Sequence, residues 1–225
     1  MDYPTFLDFL RTALTRVEPI YYGMGGMLDS LLNGNNLFEG DPRRALVEHY
    51  FRRFDERTFC YELYHQLRCL IEEHRRAERL TDDGVRLQAE LSKKQIGEVA
   101  AKILGTAAAV EVSQLQHGYI PDFLLHSPGN FKSQGLVMEV KTAPDIPFRD
   151  IGDDLLKLQE FIQRYAYGRA LLLITNNTAD RIQRLVERGD NADWIRRELP
   201  TRTQILLFCK HRPDSPLWER NLGSI

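Results

Sequence analysis

Pro121–Asp122 is followed, after a sixteen-residue gap spanning 123 to 138, by Glu139–Val140–Lys141. These residue types at this spacing suggest metal-assisted chemistry on a phosphate. In a strand, residues i and i+2 share a face, so Glu139 and Lys141 project together while Met138 and Val140 project oppositely. If residues 120–125 pair with 136–142, Asp122 approaches Glu139 near the strand ends. Two such carboxylates repel unless a divalent cation lies between them. Mg²⁺ prefers oxygen ligands, usually one or two carboxylates completed by water and substrate phosphate. A lysine beside that ion positions the attacking water and stabilises charge developing at phosphorus. The bland alternative is an ordinary strand with solvent-facing charge, which an EVK tripeptide alone usually is.

These side chains need strands beneath them and a helix above. YIPDFLLHS and GLVMEVKTA read as two strands separated by SPGNFKSQG, a hairpin or an adjacent pair. VRLQAEL, from Val85, reads as another strand, and KKQIGEVAAKIL reads as a helix. A helix is expected over about 151–167, with Leu155, Leu158, Ile162 and Tyr165 on one face. ALLLIT at 170–175 has the continuous apolar character of a buried central strand. Thr178 is placed to cap a further helix that Gly189 stops, a short helix around Trp194 ends near Pro200, and QILLFCK is a last strand. The fold class is therefore α/β with a mixed central sheet flanked by helices.

The front of the chain reads differently. Phe6, Leu7, Phe9, Leu10 and Leu14 suit a short amphipathic helix, and Gly23, Gly25, Gly26 and LNGNNLFEG supply turn formers. Asp41–Pro42 is an N-cap signal for a helix carrying Leu46, Val47, Tyr50, Phe51 and Phe54, its other side basic with Arg43, Arg44, Arg52 and Arg53. A longer helix over roughly 56–79 carries Phe59, Leu63, Leu67 and Leu70. Residues 1–55 are accordingly expected to be an N-terminal helical arm and dimerisation element, and 56–225 the main domain.

Of the 225 residues, 43% are hydrophobic and 28% charged, which supports a packed core and excludes wholesale disorder. No apolar run approaches the ~20 residues of a membrane span, and the start lacks the basic head of a signal peptide. The formal charge of -2 means that a nucleic-acid partner must be met by a local basic patch. Three cysteines, Cys60, Cys69 and Cys209, form no CxxC pair, and a reducing cytoplasm is expected. HExxH, GxSxG and GxxxxGK[ST] are absent from the sequence, and GMGG at 23–26 follows no strand.

Pro121–Asp122 and Glu139–Val140–Lys141 on an apolar strand resemble the PD-(D/E)XK nuclease superfamily, whose fold is restriction-endonuclease-like. The run IPDFLLHSPGN…LVMEVKTA and the helix, apolar strand and helix that follow add to the likeness, which covers about 56–210. It implies Asp122 and Glu139 as ligands of a catalytic Mg²⁺, with Mn²⁺ able to substitute, and Lys141 as the residue that orients or activates water. It also implies an upstream helical acid, for which Glu62 in YELYHQLR is the candidate, supporting the metal site or a second metal. His65 and Gln66 share that side of the helix. Gln163 and Tyr167 have the QxxxY spacing of some RecB-like members, and Gln159 competes for that role.

The expected activity is hydrolysis of DNA phosphodiester bonds, in phage defence or restriction. Arg43, Arg44, His126, Lys157 and Gln163 are candidates for nucleic-acid contact, although Asp154 and Lys157 also fit an (i, i+3) helix pair. Glu90 is a further acid near the expected cleft. A homodimer or a partner subunit of a larger complex is expected, with no membrane. The competing reading is a catalytically inactive module of the same fold, serving in nucleic-acid binding or assembly.

Overall fold

The computed structural model describes residues 2–22, 44–78, 84–89, 120–126 and 134–225, with side chains from Glu56 onward in the long helix and from Gly135 onward in the last segment. The glycine-rich stretch after Tyr22, Asp41–Pro42, Arg43, Glu90 and the helix expected in KKQIGEVAAKIL lie outside the described residues. So do the side chains of Arg44, Arg52 and Arg53.

Six strands among the described residues form one mixed sheet in sequence order. β2 (Phe123–His126) runs antiparallel to both its neighbours, β1 (Arg86–Ala89) and β3 (Gln134–Lys141). β4 (Tyr167–Thr175) and β5 (Ile205–Lys210) continue parallel to β3, and β6 (Trp218–Asn221) closes the far edge antiparallel to β5. The mixed α/β architecture agrees with the sequence pattern. The β6 strand, WERN, was not expected, because it has four residues and no continuous apolar run.

Helices cover both faces. α1 (Tyr3–Arg16), α2 (Pro19–Tyr22) and α3 (Arg44–Ala77) bury Phe6, Leu10, Leu14, Tyr22, Phe59 and Leu63 in one cluster with Leu136, Met138 and Val140 of β3. On the other face lie α4 (Phe148–Tyr165), α5 (Ala179–Glu187) and α6 (Gly189–Glu198), whose Leu155, Leu158, Phe161, Ile182 and Ile195 cluster with Val137, Leu172 and Ile174. Each β3 residue thus alternates between two cores, as the pleat requires.

Three expectations need correction. The two helices expected over 43–79 are one helix of 34 residues, roughly 50 Å long at 1.5 Å per residue. Residues 1–22 are not an arm, because the apolar stripe of α1 is spent on α3 and β3 of its own chain. Asp2 caps α1 by accepting from the Thr5 N–H, and Arg11 donates to both oxygens of Glu219 on β6 at 2.7 and 2.8 Å. Finally, α4 stops at Tyr165 with Ala166 in the left-handed region (φ 55°), so Gln163 sits exposed on the helix while Tyr167 begins β4. The helical QxxxY face does not form.

No helix among the described residues is long and apolar enough to cross a membrane.

Candidate active site

The β2–β3 register pairs Phe123 with Met138, and one further step sets Asp122 opposite Glu139. Asp122 lies just before the strand. Its Oδ2 accepts the Val140 N–H at 2.7 Å, so the carboxylate caps the end of the ladder. Gly135 allows the other end of the pair to close: a Cβ there would meet the Leu125 carbonyl at 2.8 Å.

Glu139 and Lys141 both face α4. Their neighbours across β4 are Leu172 and Ile174, so the two charges stand in an apolar wall. Glu139 is 1% exposed. Its Oε2 receives Lys157 Nζ at 2.7 Å, while its Oε1 is buried without a hydrogen-bond partner among the described residues. Lys157 also donates to the Ile120 carbonyl at 3.1 Å. Lys141 Nζ lies 3.4 Å from Asp154 Oδ2 and 3.6 Å from Glu56 Oε1. Asp154 Oδ2 is itself buried and makes no hydrogen bond among the described residues.

Four carboxylates, Glu56, Asp122, Glu139 and Asp154, therefore surround two ammonium groups. Burial first, then Asp122 beside it, pushes the Glu139 carboxyl well above the ordinary glutamate value, with Lys157 pulling the other way. Burial also raises Glu56 and Asp154, against the opposing pull of Lys141. For Lys141, burial favours the neutral amine, but Asp154, Glu56, Asp122 and Glu139 together outweigh it and hold the ammonium above the ordinary lysine value. Lys141 is thus held as a cation between Asp154 and Glu56.

The acid of α3 that approaches Lys141 is Glu56, not the expected Glu62. Six residues further along a helix is a rotation of about 240° and a rise of about 9 Å. Glu62 accordingly points elsewhere and accepts from Gln66 at 2.6 Å. Lys157 and His126 also differ from expectation as nucleic-acid contacts. The Lys157 ammonium is directed inward onto Glu139. His126 is buried in β2 against Gln88 of β1. Gln159 holds the Glu198 carbonyl and Thr201 on the α6 side.

No protein-family model, curated protein or solved structure matches this chain. The site must be judged on its own chemistry. Among the described residues, no three His, Cys, Asp or Glu side chains converge closely enough to enclose a metal ion alone. A Mg²⁺ site does not demand three, since one or two carboxylates with water and substrate oxygens suffice. The donors present fit that requirement: hard oxygens, one of them buried and unpartnered on Glu139, in a cluster whose carboxylates exceed its lysines by two.

A pH dependence follows. Three carboxyls have folded-state affinities for protons above their unfolded ones, so the folded state binds more protons across that interval and stability falls as pH rises through it. The loss begins near the ordinary carboxyl values of 3.8 and 4.5 and continues up to the raised folded ones. Urea unfolding in EDTA should show this decline above pH 4.5, and Mg²⁺ should reverse it increasingly toward pH 8. A Mg²⁺ effect that is absent at every pH counts against metal binding.

Proposed function

We propose that this chain is a divalent-metal-dependent nuclease that hydrolyses DNA phosphodiester bonds on a restriction-endonuclease-like core. The observation that carries the reading is the junction of Asp122 and Glu139 where β2 begins against β3, with Glu139 Oε1 buried and unpartnered among the described residues and Lys141 two residues further along the same strand. The order of α4, β4 and α5 after the motif supports it, as does an acid, Glu56, reaching the site from the upstream helix.

Asp122 and Glu139 would hold Mg²⁺ or Mn²⁺. When bound, such an ion lowers the pKa of water and neutralises charge on the phosphate. The residues of the chain do the rest. Asp154 and Glu56 hold the Lys141 ammonium in place and keep it charged. From there it donates to the attacking water or to a phosphoryl oxygen, offsetting negative charge as it builds at phosphorus. Lys157 counters Glu139 and ties α4 to the backbone at Ile120. Free cysteines at 60, 69 and 209 suit a reducing cytoplasm. A role in phage defence or restriction, with a second copy or partner subunit, belongs to the same reading.

The Lys157–Glu139 ion pair also favours a second reading, a catalytically inactive module whose acidic cluster is a structural ion network. Incubating the chain with supercoiled plasmid and with single-stranded DNA, in Mg²⁺ or Mn²⁺, separates the two. Nicking or linearisation that EDTA stops is the expected result. A folded chain that cuts neither substrate with either ion leaves the inactive reading.

A further inference from the structure

The acidic cluster has twice as many carboxylates as lysines and would repel a phosphodiester strand approaching alone. A chain with a net charge of -2 needs an adjacent positive surface if it is to hold nucleic acid. Such a surface lies on α5. Arg181, Arg184, Leu185, Glu187 and Arg188 line a concavity of about 540 Å³. Arg181 and Arg184 are three apart, and Arg188 follows where the helix ends, so all three guanidinium groups open onto one groove. Arg184 and Arg188 are exposed and have no ion-pair partner among the described residues. The one acid of the groove is already engaged: Glu187 accepts from Arg220 at 2.9 Å and from Gln183 at 3.1 Å.

The Arg181 end of the groove is tied to the ends of the central strands β3 and β4. Arg181 donates to Asn177 Oδ1 at 2.8 Å and approaches Asp145 at 3.5 Å. Buried Asn177 in turn donates to the carbonyls of Ala143 and Thr175 and accepts from the Ile146 N–H. Ala143 is two residues beyond Lys141. A hydrogen-bonded link through Asn177 therefore joins the Arg181 end of the groove to the segment just after the strand carrying the candidate site. From 181 to 188 the arginines span roughly 10 Å at 1.5 Å per residue. Guanidinium groups in that geometry suit successive phosphates, which they bind through paired N–H donors. A lipid surface fits less well, because none of the exposed large apolar side chains among the described residues, Ile20, Tyr61, Ile120 and Leu156, lies on α5.

We propose that the Arg181–Arg184–Arg188 groove binds the sugar–phosphate backbone of a nucleic-acid strand and leads it to the end of β3. This deepens the nuclease reading, but it is tested without cleavage. Anisotropy of fluorescein-labelled single- and double-stranded oligonucleotides in EDTA reads binding alone. The double variant Arg184→Glu/Arg188→Glu should bind at least about tenfold more weakly, with the salt slope reduced by about two, near one for each lost phosphate contact. Arg184→Lys/Arg188→Lys should retain most affinity. Arg16→Glu, on the α1 face of the sheet, should bind as the unaltered chain does. Thermal unfolding checks each fold, and single Arg184→Gln and Arg188→Gln variants carry the test if the double reversal unfolds.

Unchanged affinity in the folded double variant overturns the proposal, and so does equal loss in Arg16→Glu. So does an unaltered chain that binds no oligonucleotide, or one that binds anionic phosphatidylserine vesicles through these arginines and not DNA. Binding through the groove with no cutting leaves the groove standing and removes the nuclease. Cutting with unchanged groove-variant affinity does the reverse.

Discussion

Glu139→Gln is expected to abolish metal-dependent DNA cleavage while leaving the fold at least as stable as before. The amide keeps the size and shape of the carboxyl but cannot serve as a charged ligand. It also removes a buried anion whose protonation is favoured by burial and by Asp122. Lys157 retains the Ile120 carbonyl as an acceptor. Lys141→Met differs. It removes the only cation that Glu56 and Asp154 both approach among the described residues, so stability should fall, and fall more steeply as pH rises. Its cleavage rate should drop about 10² to 10³-fold, the usual loss when one preorganised donor to developing charge is removed. Initial rates on supercoiled plasmid, paired with urea midpoints in the same buffer, separate chemistry from folding. Cleavage by Glu139→Gln within a few-fold of the unaltered chain would sink the metal-ligand role. If both variants lose activity only in proportion to lost stability, the cluster is structural.

The strands bearing the motif were legible because their signals are local. Alternation on β3 puts Met138 and Val140 in one core and Glu139 and Lys141 facing α4, as a period of two dictates. The helix acids carry a local signal too, their place on an apolar stripe. Phe59, Cys60, Leu63, Leu67 and Leu70 mark the buried stripe of α3, and Glu56, spaced 3, 4 and 7 residues before the first three, falls at its centre. Glu62 lies well off that stripe. In α4, Asp154 likewise interrupts the apolar run of Ile151, Leu155, Leu158, Phe161 and Ile162. A lone charge on an apolar stripe has to meet a partner, since burying it unpaired is costly. Asp154 meets Lys141 at 3.4 Å. What the sequence withheld was non-local. No spacing rule says that Lys157 crosses to Glu139 or that Asn177 ties the ends of β3 and β4 together, because those contacts depend on how helices settle on the sheet. The same holds for α1, whose amphipathic stripe announces that it needs a partner and not which one.

That partner decides the second large effect. A chain beginning near residue 55 is expected not to fold cooperatively, and Leu10→Ala in the full chain should cost about 2 to 5 kcal/mol. Phe6, Leu10, Ala13 and Leu14 are fully buried, in the cluster that holds Phe59, Leu63 and Leu67 of α3 and Met138 and Val140 of β3. Losses of that size approach the whole stability of an ordinary domain, about 5 to 15 kcal/mol. Truncation would also strip the first turns of α3, up to the residue before Glu56, which approaches Lys141. An independent arm predicts the opposite: a truncated chain that is folded, monomeric by light scattering and still able to cut. Near-UV circular dichroism and urea unfolding of the truncated chain therefore distinguish the two, and a sharp transition with native aromatic signal would restore the arm. The expectation of collapse rests on β3 being shared. Its odd-numbered residues carry the candidate chemistry and its even-numbered ones rest on α1 and α3. Loosening that support should displace Glu139 and Lys141 before the whole chain unfolds, so cleavage by Leu10→Ala should fail at a lower urea concentration than its helix content does.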